Sequence, residues 1–75
     1  MTLSEIRPGQ RCVVTGVTLQ SALRKRIIDM GITTGTTIYV RKLAPLGDPM
    51  EITVRGYELS LRKEEARGIE VRKII

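Results

Sequence analysis

The chain has 75 residues, 41% hydrophobic and 28% charged, and thirteen Lys and Arg against eight Asp and Glu give it a net charge of +5. So short a chain buries only about 60% of its unfolded surface, which limits residues 1–75 to one expected domain and excludes a deep active site. Histidine is absent and Cys12 is the single cysteine, so the commonest general base and metal ligand are missing and no internal disulfide can form.

The first helical turn is expected at Thr2-Leu3-Ser4-Glu5, which has capping-box spacing and turns Leu3 and Ile6 inward. Pro8-Gly9 makes a turn. Gln10 to Val17 reads as a strand with Cys12, Val14 and Gly16 on one face, and Gly16 marks a bulge or bend because it has no side chain to pack. Ser21 to Met30 is the clearest helix. Leu23, Ile27 and Met30 recur at i, i+4, i+7 as an apolar stripe, Ser21 is placed to cap the start, and Gly31 stands where a C′ glycine belongs.

Thr34-Gly35 makes the next turn, and Thr36 to Lys42 the next strand, with Ile38 and Val40 on one face and Tyr39 on the other. Pro45 and Pro49 fix φ and remove two donors, so they bound a rigid loop, with Gly47-Asp48 between them as turn chemistry. A hairpin follows, with Met50, Ile52 and Val54 on one face of its first strand, Leu59 and Leu61 on the second, and Arg55-Gly56 at the turn. Arg62 to Arg67 reads as a short helix stopped by Gly68, and Ile69 to Ile74 as the last strand, with Ile69, Val71 and Lys73 on one side. Together these elements predict a mainly β fold, a small SH3-like antiparallel barrel of about five strands with one clear helix and one or two helical turns.

The positive charge points to an anionic partner: nucleic acid, a phosphate-bearing ligand, an acidic membrane surface or an acidic protein face. No apolar run is long enough for direct membrane insertion, and the first residues lack a basic flank and apolar core of a secretory signal, so a cytoplasmic location is expected.

Catalysis has little to work with. The carboxylates are scattered and read as mostly solvent-facing, and the neighbours Glu64 and Glu65 project about 100° apart on a helix. No phosphate-cradling loop exists, no cofactor is implied, and Cys12 reads as a small core residue. Nucleic acid binding is the second reading, weakened by only two Tyr and no Phe or Trp on which bases could stack. The same scarcity speaks against an aromatic-lined groove for proline-rich peptides. Arg24, Lys25 and Arg26 form the main candidate docking face. Cations in the first half of a helix oppose its dipole, so intrahelical stability explains them poorly. Leu46 and Asp48 in the preorganised proline loop are the other docking candidates. Pro45, Gly47, Pro49 and Gly56 are assigned to structural turns.

The order Ala22-Leu23-Arg24-Lys25-Arg26-Ile27-Ile28-Asp29-Met30-Gly31-Ile32, then Gly35, then Ala44-Pro45-Leu46-Gly47-Asp48-Pro49-Met50, then Arg55-Gly56-Tyr57-Glu58-Leu59-Ser60-Leu61-Arg62-Lys63-Glu64-Glu65-Ala66 resembles the FeoA family of ferrous iron transport proteins. The likeness runs from Leu3 to about Val71, with Thr34 standing where such sequences usually carry Pro. It implies a cytoplasmic SH3-like module, in the free-standing form, that assists FeoB, a membrane permease with a cytoplasmic GTPase domain. Similar barrels are appended to metal-dependent repressors, so a metal-responsive module is a further alternative. Exposed strand edges leave room for weak self-association.

Overall fold

In the computed structural model, which describes residues 1–74, period-two alternation of apolar residues is realised as one antiparallel sheet. After a 3-10 turn (Leu3–Glu5) come β1 (Arg11–Val17), α1 (Ser21–Asp29), β2 (Thr37–Leu43), β3 (Met50–Val54), β4 (Tyr57–Leu61), α2 (Lys63–Ala66) and β5 (Ile69–Ile74). The strand order is β4-β3-β2-β1-β5, so four strands meander and the fifth returns beside the first. Mainly β, with one helix of nine residues, a second of a single turn and a 3-10 turn, this is the expected SH3-like architecture.

The buried side chains come from one face of each strand: Cys12 and Val14, Ile38 and Val40, Met50, Ile52 and Val54, Leu61, Ile69 and Val71. Leu3, Ile6, Ile27, Ile32 and Ala66 close the core from the turns and helices. A bulge between Val14 and Gly16 in the β1–β5 pairing bears out the expectation for Gly16, and a second lies between Val40 and Lys42 in β2–β3. Each adds local twist, which lets five short strands wrap one core. At the other end of β5, Lys73 keeps the register of the inward row, opposite Cys12, yet is exposed because the core has ended.

The N-terminal turn forms as its spacing predicts: the Thr2 N–H donates to Glu5 Oε2 at 2.7 Å, and Leu3 and Ile6 are buried. The β3–β4 hairpin turns at Arg55-Gly56, with φ of +49° and +83°. Two successive positive φ values are the type I′ signature, whose twist matches that of the strands.

α1 departs from expectation at its start. Ser21 does not cap it: Gln20 is the flanking residue, no side chain bonds the first turn, and Ser21 itself sits at φ +53°. Leu23 is 41% exposed rather than part of an inward stripe. The reason lies at the other end. Gly31, at φ +91°, donates its N–H to the Ile28 carbonyl, and Ile32 donates to the Ile27 carbonyl. This Schellman closure brings Ile27 and Ile32 into the core together, so the helix packs through its last turn and Leu23 is left over the rim.

Gly68 follows α2 as expected, but not as a left-handed stop. It is buried, and an added Cβ would run into the Leu19 side chain. Its carbonyl accepts from both the N–H and Oγ1 of Thr18.

Candidate functional site

The cationic triplet divides three ways. Arg24 turns back along α1 and donates from Nη1 to the Val17 carbonyl at the end of β1. Arg26 crosses to α2, where its Nη1 meets Glu65 Oε2 at 2.7 Å. Lys25 is exposed and has no hydrogen-bond or ion-pair partner among the described residues. The dipole mismatch is thus resolved by tertiary bonds for two of the three cations.

Glu65 is the carboxylate that sequence reasoning misplaced. Expected with most of the acids on a solvent face, it is 2% exposed. A buried carboxylate must be met by donors, and both its oxygens are: Oε2 by Arg26, and Oε1 by the Arg62 N–H at 2.9 Å. The second bond is the N3-to-N-cap arm of a capping box, so the one side chain starts α2 and ties it to α1. Its position three residues after Arg62 was the available signal.

The proline loop also converges on α2. The Gly47 N–H donates to the Ala44 carbonyl at 2.7 Å, closing a turn with Pro45 at its second position and Gly47 at φ +82°. The Asp48-Pro49 peptide is cis, and the Pro49 carbonyl accepts from the Ala44 N–H. Asp48, read from the sequence as turn chemistry, accepts from the Lys63 N–H at 3.0 Å through Oδ1, capping α2 from across the chain. Leu46 at the loop tip is 93% exposed, because the turn aims its side chain outward rather than over the barrel end.

Arg26 and Asp48 are therefore brought to a common element, while Lys25 and Leu46 face solvent. A third anchor was not foreseen. Arg55 donates to the Gly31 carbonyl from Nε and to the Thr33 and Thr36 hydroxyls from Nη2, fastening the hairpin tip to the end of α1. An Arg where a type I′ turn favours Asn or Asp was the clue.

For chemistry at a single centre the arrangement offers little. Cys12 lies wholly inside the core, and burial pushes its thiol up to about 11, far from thiolate at neutral pH. A shallow depression of about 330 Å³ is lined by Gly9, Gln10, Arg11, Lys73 and Ile74, which bring two cations and no nucleophile. Among the described residues no three Cys, Asp or Glu side chains converge on a point where a metal ion could sit. No helix among them is long and apolar enough to cross a membrane.

The model of the FeoA domain family matches residues 1–73. A curated relative from Porphyromonas gingivalis, an Fe(2+) transport protein A/Fe(2+) transporter FeoB fusion protein, is 43% identical over 74 residues, which is 99% of this chain and 9% of the relative. The chain thus spans about a tenth of that protein. The NMR structure of an FeoA-like protein from Clostridium acetobutylicum superimposes with a TM-score of 0.94 at 43% identity, covering 100% of this chain and 87% of that one. The crystal structure of Stenotrophomonas maltophilia FeoA complexed with zinc, described as an SH3 domain protein, matches with a TM-score of 0.85 at 29% identity over 96% of this chain and 89% of that one.

Proposed function

The chain belongs to the FeoA domain family, and from that premise we propose that it is a non-enzymatic accessory unit of ferrous iron uptake that docks on the cytoplasmic part of an FeoB-type permease. The observation that carries this reading is the fusion relative. There a segment 43% identical to almost the whole of this chain is covalently joined to a ferrous iron transporter. Fusion holds two parts at high effective concentration, and it is useful where they act on one another.

The geometry supports an adaptor. Arg24, Arg26, Asp48, Arg55 and Glu65 are engaged in holding the fold together, while Lys25 and Leu46 are among the exposed groups without internal duties. Neither catalytic nor metal-binding convergence competes with that role among the described residues. The regulated step lies in the permease, and the chain acts by changing the permease's conformational or nucleotide-dependent state.

Uptake of labelled ferrous iron tests this in cells that express the permease with and without the chain. Uptake is expected to fall when the chain is removed and to return when it is resupplied. Equal uptake in both would overturn the accessory role.

A further inference from the structure

The two edges of the sheet are finished differently. At β5 the Met1 carbonyl accepts from the Val71 N–H at 2.9 Å, Thr2 bridges to Glu70, and Arg72 and Lys73 charge what remains. These are the devices that keep an edge from pairing with another chain. β4 has one charge, Glu58, which Arg41 meets at 3.1 Å, and no covering segment among the described residues. It carries no Pro and no Lys, its pairing with β3 runs without a bulge, and only β3 lies beside it.

Which groups β4 leaves open follows from its turn. A two-residue loop makes Val54↔Tyr57 a pair that exchanges both ladder bonds, and alternation then assigns the others to Ile52↔Leu59 and Met50↔Leu61. The N–H and C=O of Glu58 and Ser60 point the other way. Among the described residues no group outside the ladder bonds to either. The side chains that flank this row are accessible: Tyr57 is 70% exposed and Leu59 half-buried on the core side, with Glu58 and Ser60 on the outer face.

We propose that β4 is a strand-addition edge, on which an extended segment of the permease partner docks as a sixth strand through the N–H and C=O of Glu58 and Ser60. This rests on the docking reading above and names its surface. The occupant has alternating character, apolar beside Tyr57 and Leu59, and polar and uncharged opposite Glu58, whose carboxylate Arg41 already meets at 3.1 Å. It is a different chain rather than a second copy, because two copies would bring +5 against +5, whereas a neutral or acidic segment meets no such repulsion.

Amide hydrogen exchange of the intact chain, alone and saturated with the soluble cytoplasmic part of an FeoB-type permease, tests this. Alone, the Glu58 and Ser60 amides exchange fast while those of Leu59 and Leu61 are protected. With the partner, exchange at Glu58 and Ser60 slows by at least about tenfold. Ser60→Pro removes only an outward N–H, which edge strands tolerate, and is expected to weaken binding by at least about tenfold, whereas Ser60→Ala binds as the native chain does. Partner binding with unchanged exchange at both amides, or full affinity in Ser60→Pro, would overturn the edge while leaving the docking reading intact. No binding by the native chain would overturn both. Slowing that appears with protein concentration alone would replace the partner segment by a second copy.

Discussion

Glu65 is satisfied by two donors from two different elements, and its removal is correspondingly unequal. Glu65→Ala strands the Arg62 N–H, while Arg26, 56% exposed, can return to water. A loss of about 1–3 kcal/mol is expected, measured by urea unfolding with unchanged m-value. At Gly56 the constraint is conformational. The residue sits at φ +83° with open space around the position of a Cβ, so Gly56→Val costs strain and not contact, about 1–2 kcal/mol in the same assay. Cys12 gives a chemical readout. Its thiol is held up by burial, so iodoacetamide at pH 8 should leave the native chain unmodified and label it only in denaturant. The sign of the linkage follows. The native thiol ionises at about 11 against 9.0 for the exposed group, so this residue's contribution to stability is whole below pH 9 and is lost as pH rises toward 11.

At the scale of elements, α2 is a junction four residues long that could not hold itself together. It is fixed by Asp48 from the proline loop and by Glu65, which ties it to α1. Asp48→Ala should therefore cost about 1 kcal/mol, as the loss of an N-cap does, and should raise amide exchange in α2 before that in the strands. The strands and turns were legible in the sequence because their signals are local: alternation in β2 and β3, Arg55-Gly56 between two apolar runs, Gly31 after the helix. What was not legible depends on distant partners. Leu23 fits a helical stripe and is exposed because α1 is anchored at its C-terminal end, by Ile27 and by Met30 and Ile32 just beyond it. Asp48 reads as a local turn residue and is spent on Lys63. Arg24 and Arg26 read as a free charged face, and each finds a carbonyl or carboxylate that sequence separation concealed.

For the whole molecule, the bonds made by Arg24 and Arg26 mean that reversing all three helix charges would disturb the fold and the surface together. Lys25→Glu is the clean probe of the cationic face, since it breaks no internal bond. The central claim is that the chain docks on the cytoplasmic part of an FeoB-type permease. Titration of the purified chain into that soluble part, with and without guanine nucleotide and across salt, tests it most directly. Saturable binding is expected, weakening as salt rises and weakened further by Lys25→Glu, with an unchanged melting temperature. No binding at low salt with either nucleotide state would contradict it.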